Sequence, residues 1–111
     1  GSLDVNGSIR SACPPQFDYI GADFVSGMGV GFVLDDPYSL PFEPKTFDII
    51  LSSSCFEHSE ISWIAFLEIM RVLKPAGLFY LDFPSNGGLH RYPVDCWRFS
   101  RDSGDALVAW A

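Results

Sequence analysis

The chain has two histidines, the residue type that most often acts as a general base, and both lie among other reactive groups. His58 ends the segment "SSSCFEH", and His90 precedes the segment "RYPVDCWRF". A histidine in such a setting can act as a general base where a reaction has to remove a proton from its substrate. We therefore treat His58 and His90 as the two candidate catalytic residues.

The segment that follows His90 concentrates polar and aromatic side chains and has the composition of a loop. Four of its residues are candidates for substrate binding: Arg91, Tyr92, Asp95 and Arg98. Arginine suits a carboxylate or a phosphate, because its planar guanidinium donates two parallel hydrogen bonds. A structural role stays open as the alternative, in which the aromatic rings cover a sheet edge and Asp95 pairs with an arginine.

Cysteine usage argues against a metal site and against a disulfide framework. Cys55 stands three residues before His58, but this pair lacks the two further ligands of a structural zinc site, so we expect no metal. Cys13, Cys55 and Cys96 are odd in number and far apart. That pattern favours reduced thiols and a cytoplasmic location.

Length and charge narrow the class further. With 111 residues, 48% hydrophobic and 19% charged, the chain is predicted to form a single globular domain over residues 1–111. Its formal net charge of −7 argues against nucleic acid as a partner, because nucleic-acid-binding surfaces are basic. No apolar run is long enough to cross a bilayer, so we expect no membrane partner.

Four apolar segments predict strands at residues 19–23, 30–34, 47–54 and 78–84. The third is almost continuously apolar, which is typical of a strand covered on both faces. A broad apolar stripe after Ser59 predicts a helix that Pro75 ends. On its opposite side Glu68 and Arg71 are one turn apart and are expected to pair weakly. A last helix is predicted after Ser100, its candidate cap.

Strands that alternate with a strong helix predict an α/β fold with an open, mostly parallel sheet. Ligands of such sheets bind at the carboxyl ends of the strands, which directs attention to the residues that follow each strand. The glycine-rich "GMGVG" at residues 27–31 is not read as a cofactor loop, because a strand rather than a helix follows it. We expect a turn there.

Three stretches occur in order at short spacing: "DDPYSLPFEPKTFDII", "SSSCFEH" and "EIMRVLKPAGLFYLDFP". Together they resemble the class I S-adenosylmethionine-dependent methyltransferases, in particular the type 11 group with D-x-x-x-L-P-F, F-D-x-V, E-H and R-x-L-K-P-G-G. The resemblance covers roughly residues 1–100. One departure is Ala76 in place of the first glycine of the last motif, a mild change within an expected turn.

The resemblance implies a Rossmann-like sheet with flanking helices that lacks the family's first strand and its C-terminal strands. It also implies S-adenosylmethionine as cofactor, with Asp23 on the ribose hydroxyls. Asp35 and Asp36 would lie near the adenine amino group, and Pro37 and Tyr38 would flank the base. Ser52 and Ser53 would line the methionine end.

The opening "GSLDVNG" stands where the family has its cofactor loop, although a leading Gly-Ser can also be a cloning remnant. On the first interpretation, Gly1, Asn6 and Gly7 would pass close to the methionine portion of the cofactor.

The predicted function is methyl transfer to a small-molecule or sugar-type acceptor by direct displacement. Two alternatives stay open. One is a catalytically silent binding or interaction domain that kept the fold. The other is a nicotinamide-dependent oxidoreductase, which would need an intact glycine loop that opens a helix. Oligomeric state is not predicted.

Overall fold

The computed structural model of the chain describes residues 3–4 and 7–111. Its elements follow in the order β1 (Ala22–Asp23), β2 (Phe32–Val33), β3 (Phe47–Ser53), α1 (Ser62–Val72), β4 (Leu73–Asp82) and α2 (Ser103–Trp110), with 3-10 helices at Ile9–Ala12 and Phe56–His58. The chain groups into two compact units, Gly1–Pro37 and Tyr38–Ala111. A single domain over residues 1–111 stays a prediction.

In the first unit, β1 and β2 pair in parallel, with Ala22 opposite Phe32 and Asp23 opposite Val33. The amides of Gly31 and Phe32 both donate to the carbonyl of Gly21, at 2.8 and 2.9 Å. The glycine-rich segment between the strands is a turn, in which Gly29 adopts a φ of 86° that glycine tolerates best. The expected turn is confirmed, while both strands are shorter than predicted.

In the second unit, β3 and β4 pair in parallel, with Ile50 opposite Phe79 and Ser53 opposite Asp82. Both strand pairs of the described chain are parallel, which confirms the predicted α/β fold. They form two separate two-stranded sheets where the sequence predicted one open sheet.

Only one face of the β3–β4 pair is covered. Phe79 and Leu81 pack against a core formed by Phe56, Ala65 and Phe66, so α1 and the preceding 3-10 helix cover that face. On the other face, Ile49 and Leu51 are 40% and 41% exposed. The predicted cover on both faces of β3 is therefore wrong for the described residues, because the side chains that alternate with the core-facing ones are left exposed.

Between α1 and the regular part of β4 the chain forms a bulge in the strand pairing, not an unpaired turn. The pairing of Phe47 with Leu73 is followed by that of Ile49 with Leu78, so several residues bulge from β4. Within the bulge Ala76 has a φ of 63°, a left-handed conformation that costs an L-residue about 1–2 kcal/mol. Gly77 lies against Leu73, whose Cδ1 would be 2.8 Å from an added Cβ. Alanine in place of the family's glycine is therefore not a mild change here.

Arg71 forms a partly buried network instead of the weak surface pair predicted from the sequence. Its guanidinium binds Glu68, at 2.6 and 2.8 Å, and donates to the carbonyls of Leu40 and Phe42, both at 2.9 Å. The amide of Leu40 donates in turn to Glu68 at 2.7 Å. These bonds attach residues 40–42, the "LPF" loop, to α1.

The last helix is present as α2, with Asp102 at its N-cap rather than the predicted Ser100. Ser100 still contributes at this end, because its carbonyl accepts from the amide of Ser103 at 3.1 Å. Among the helices of the described residues, α2 and α1 included, none has the length and apolarity needed to cross a membrane.

Candidate functional site

The carboxyl ends of β3 and β4 lie side by side and lead into the candidate site. The hydroxyl of Ser53 donates to Asp82 at 2.8 Å, and the amide of Ser54 donates to the Asp82 carbonyl at 3.0 Å. Ser54 then turns the chain with a φ of 48°. The 3-10 helix Phe56–His58 follows at once, so the strand end places Glu57 and His58.

Glu57 joins this 3-10 helix to the loop that carries His90. Its carbonyl accepts from the amides of Cys96 and Trp97, at 2.7 and 3.2 Å. Its side chain is only 1% exposed, and Oε1 lies 3.7 Å from Nε2 of His58 and 3.8 Å from Nε2 of His90. Two histidines far apart in sequence thus meet at one buried carboxylate.

The two imidazoles form one cluster, with ring centroids 5.1 Å apart and planes perpendicular. Nδ1 of His58 lies 2.5 Å from the Val94 carbonyl, and Nδ1 of His90 lies 3.2 Å from the Gly88 carbonyl. Because a carbonyl only accepts, both Nδ1 atoms carry the hydrogen in these contacts. In neutral imidazoles that arrangement leaves both Nε2 lone pairs directed to other partners.

The hydrogen bonds of Arg98 indicate which ring nitrogen of His90 carries the hydrogen. Its Nη1 donates to Asp95 and to the Trp97 carbonyl, and its Nη2 donates to Asp95 and to the Gly88 carbonyl. All four Nη hydrogens are thereby used, so the 3.3 Å approach of Nη2 to His90 Nδ1 leaves Nδ1 as a donor.

Asp95 is the acceptor that organises this loop. Its carboxylate also accepts from the amide of His90 at 2.8 Å. The Arg98 guanidinium, together with that amide, holds the pKa of Asp95 well below its usual range. Asp95 and Arg98 form a bonded unit that supports the structural alternative for this pair, and their predicted contact with a substrate stays a prediction.

Arg91 and Tyr92 are exposed at the same loop. The Tyr92 ring lies 6.5 Å from that of His58. The Arg91 guanidinium has no hydrogen bond or ion pair within the described part of the chain. Of the two arginines predicted to bind substrate, Arg91 is therefore the one with free donors.

Trp97 attaches this loop to the rest of the second unit. Trp97 donates through Nε1 to the Ser59 carbonyl at 2.8 Å, and its ring contacts that of Trp63 at 5.8 Å. These contacts agree with the structural interpretation of the aromatic side chains.

Asp23 ends β1 in the first unit, and its carboxylate is already a backbone acceptor. It receives the amides of Leu3, Phe24 and Val25, at 3.0, 2.7 and 3.3 Å. Burial raises the pKa of Asp23, but these hydrogen bonds outweigh it and hold the pKa below the ordinary value. Asp23 thus joins the strand end to the segment at Leu3, where the cofactor loop is expected.

The other predicted cofactor residues are distributed over both units. Gly7 has a φ of 113° and donates to Asp4 at 2.9 Å, so a turn requires its conformation. Asp35 and Asp36 are exposed, and Pro37 is half-buried. In the second unit, Tyr38 packs on the core while its hydroxyl accepts from the Ile61 amide at 3.2 Å. Gly1 and Asn6 lie outside the described residues.

Glu57 was not among the predicted site residues, although it belongs to the E-H motif of the resemblance. The signal was its position directly before a candidate histidine at the end of a strand. Its burial could not be predicted from the sequence, since the loop whose Cys96 and Trp97 amides bind the Glu57 carbonyl is distant along the chain.

Comparisons with known proteins agree with this architecture. The family described as "methyltransferase domain" matches residues 12–81. The phthiotriol/phenolphthiotriol dimycocerosates methyltransferase 1 of Mycobacterium ulcerans is 38% identical over 90 residues, which are 76% of this chain and 29% of that protein. The phthiotriol/phenolphthiotriol dimycocerosates methyltransferase of Mycobacterium tuberculosis H37Rv is 33% identical over 97 residues, 84% of this chain and 32% of that protein. The matched part of the chain thus spans about a third of these relatives.

Two solved structures share the fold. One is a chain from the complex between the Haloferax volcanii Trm112 methyltransferase activator and a methyltransferase, with a TM-score of 0.59, 22% identity, and cover of 78% of this chain and 41% of that chain. The other is the [4+2]-cyclase SpnF, with a TM-score of 0.54, 25% identity, and cover of 73% and 32%. The family match, which takes in more than half of the chain, confirms the resemblance found in the sequence: this chain belongs to the methyltransferase domain family.

Proposed function

We propose that the protein is an S-adenosylmethionine-dependent methyltransferase that methylates a hydroxyl group of a small-molecule or sugar-type acceptor. The observation that carries the proposal is the approach of two histidine Nε2 atoms to the buried Glu57 carboxylate, just beyond the carboxyl end of β3. Family membership supports the reaction class, and this histidine pair supports an acceptor that must lose a proton.

The donor set at Asp23 fits the cofactor's ribose. Oδ1 receives two amides and Oδ2 receives one, so Oδ2 keeps a lone pair for a hydroxyl donor. S-adenosylmethionine supplies, when bound, a methyl group on a positively charged sulfur. Asp23 would accept the ribose hydroxyl. The assignments of Gly1, Asn6, Gly7, Asp35, Asp36, Pro37, Tyr38, Ser52 and Ser53 stay predictions.

The histidines of the cluster supply the proton acceptor that a hydroxyl acceptor needs. The acceptor oxygen would take the methyl group that the bound cofactor supplies, and the electron pair of the carbon–sulfur bond would remain with the cofactor. The hydroxyl proton passes to Nε2 of His58 or His90, whose Nδ1–H is already engaged with a carbonyl. Glu57 stabilises the resulting imidazolium, because its carboxylate lies beside both rings.

The acceptor class draws on two further observations. The curated relatives carry phthiotriol in their names, and that name denotes an alcohol. Arg91 offers free donors beside Tyr92 at the rim of the cluster and suits an anionic substituent on the acceptor. We infer no nucleic-acid and no membrane partner, in keeping with the net charge of −7.

A cytoplasmic location is part of the same proposal. Cys13, Cys55 and Cys96 are all free thiols in the structure, which agrees with a reducing compartment.

The test combines cofactor binding with methyl transfer by the purified protein. Calorimetric titration with S-adenosylhomocysteine should give saturable binding, and an acceptor panel that pairs alcohols with their deoxy analogues should yield methyl ethers from the alcohols alone. His58→Gln and His90→Gln should each lower kcat by about 10²-fold or more with cofactor binding unchanged. The matched control is Glu60→Gln, on the exposed residue that follows this 3-10 helix. Failure to bind S-adenosylhomocysteine, or methylation that survives both histidine substitutions, would count against the proposal.

A further inference from the structure

We propose that Glu57, His58 and His90 form a binding site for one divalent first-row transition metal ion. Each residue offers one ligand atom, and the three ligand atoms all lie within 4.8 Å of one another. Two imidazole nitrogens and one carboxylate are a donor set that zinc and ferrous iron accept with further coordination positions left open. The inference concerns binding alone. An ion on both Nε2 atoms would occupy the lone pairs that accept the proton in the proposed function, so the metal-bound protein would not be the form that methylates an alcohol.

The spacing is close to what a bound ion requires. Oε1 of Glu57 is 3.7 Å from Nε2 of His58 and 3.8 Å from Nε2 of His90. In a tetrahedral zinc site, bonds of about 2.0–2.1 Å place the ligand atoms about 3.3 Å apart. The two distances to Glu57 have to shorten by only a few tenths of an ångström, and the two histidine ligand atoms lie within 4.8 Å of each other before any rearrangement.

Glu57 supplies the second observation that points to a ligand. Its side chain is 1% exposed, and its Oε2 has no hydrogen-bond partner within the described residues. A carboxylate that is taken out of water without a partner is costly. An ion held by Oε1 would neutralise the charge of this buried carboxylate, and it would also give Oε2 a partner if the carboxylate bound through both oxygens.

The orientation of both imidazoles is that of metal ligands. Nδ1 of His58 is engaged with the Val94 carbonyl and Nδ1 of His90 with the Gly88 carbonyl. Histidines that bind a metal through one nitrogen almost always donate the other N–H to a carbonyl or carboxylate, which fixes the ring and the tautomer. In both residues the nitrogen left for the ion is Nε2, the atom that faces Glu57.

Charge in the cluster also favours a cation. Asp95 and Arg98 neutralise each other in their paired hydrogen bonds. Glu57 then remains as the negative group of the cluster. The hydrogen bonds to Asp95 raise the pKa of Arg98, and the charge of Glu57 helps to raise it. With neutral imidazoles, a divalent ion would bind at a site that carries net negative charge.

These ligands differ from those considered in the sequence. The expectation of no metal was based on Cys55 and His58, whereas the structural site omits the cysteine and recruits Glu57 and His90. This site contains both histidines of the chain, so the chain has no other imidazole ligand to offer a metal ion.

Zinc titration of the untagged protein tests the proposal, with isothermal calorimetry as the readout. We expect one zinc ion per chain at micromolar or tighter affinity. His90→Gln should weaken binding at least about tenfold, since it removes a ligand, and it is the informative variant because that side chain is 53% exposed and can change without a loss of fold. Glu60→Gln is the matched control and should bind as the unaltered protein does.

Cobalt substitution identifies the ligands independently of zinc affinity. The cobalt(II) protein should show d–d absorption without a thiolate-to-metal charge-transfer band, because none of the proposed ligands is a cysteine. A strong charge-transfer band, the lack of saturable binding, or zinc affinity unchanged in a folded His90→Gln protein would each overturn the proposal.

Discussion

Arg98 holds Asp95 through two parallel hydrogen bonds, of 2.6 and 2.8 Å, three residues apart on the loop that carries His90. The carboxylate is almost fully enclosed, at 1% exposure. The pair orders the loop, because Arg98 also binds the Gly88 and Trp97 carbonyls while Asp95 holds the His90 amide. The Nη hydrogen-bond donors of Arg98 are thereby used within the protein, in contrast to those of Arg91.

The two arginines of this loop should therefore differ in what their removal changes. We expect Arg98→Ala to lower Tm by several degrees, because it strips Asp95 and two carbonyls of their donor. Arg91→Ala should leave Tm unchanged and raise KM for an anionic acceptor about tenfold, because Arg91 is exposed and unpaired in the described chain. Thermal unfolding and steady-state kinetics on both variants check this. Equal Tm values for the two variants would contradict the assignment.

Arg71 and Lys74 provide a second matched comparison, since each pairs with a carboxylate near the end of α1. Arg71 also donates to the Leu40 and Phe42 carbonyls, whereas Lys74 and Asp48 form an exposed pair of the kind that contributes little to stability. We expect Arg71→Ala to lower the urea midpoint of unfolding clearly and Lys74→Ala to leave it within experimental error. A larger effect at Lys74 would show that the "LPF" loop is not fastened by Arg71.

The stability that the Arg71–Glu68 network contributes should decrease as the pH falls. The hydrogen bonds from Arg71 lower the pKa of Glu68, burial opposes them, and the Leu40 amide adds to the lowering. Because the pKa in the folded state is below that in the unfolded state, this stabilisation is complete above the ordinary glutamate value of about 4.3 and is lost as the pH falls through the folded value. Urea unfolding between pH 7 and pH 3 should show a shallower acid decline for Glu68→Gln than for the unaltered protein. Glu60→Gln, on an exposed residue, should decline as the unaltered protein does.

Ala76→Gly should stabilise the protein by about 0.5–1 kcal/mol. Alanine at a φ of 63° is strained, and glycine relieves the strain at a smaller cost in the conformational entropy of the unfolded chain. Chemical denaturation at a fixed temperature measures the change. The control is Ala106→Gly in α2, which should destabilise by about 1 kcal/mol because it stands in a helix. Destabilisation by Ala76→Gly would show that the left-handed conformation is wrong.

How far the sequence predicts the fold depends on how local the cause is. The α1 helix and the strands β3 and β4 follow from apolar periodicity and from Pro75, which are properties of neighbouring residues. The one-sided cover of β3 is not local, because it depends on which helices pack on the sheet, and the prediction failed there. The φ of Ala76 depends on the register between β3 and β4, which no single residue encodes.

The candidate site follows the same division. His58 and His90 could be singled out because histidine has few roles, because His58 follows a predicted strand, and because His90 stands in a loop rich in polar and aromatic residues. Their meeting at Glu57 depends on two amides of a distant loop, so the position of Glu57 beside His58 does not by itself predict the contact with His90. The Arg98–Asp95 pair was foreseen only as an alternative, because spacing allows such a pair without deciding between a partner in the protein and a ligand.

The carbonyl of Glu57 makes the loop and the strand end inseparable. Since it holds the amides of Cys96 and Trp97, undocking of the loop carries His90 away from Glu57 and His58 in the same event. Docking and ligand occupancy are therefore linked equilibria, and whatever binds at the two imidazoles must slow hydrogen exchange at the Cys96 and Trp97 amides. In a chain with few buried residues, a bound ligand can in this way contribute to the stability of the folded state.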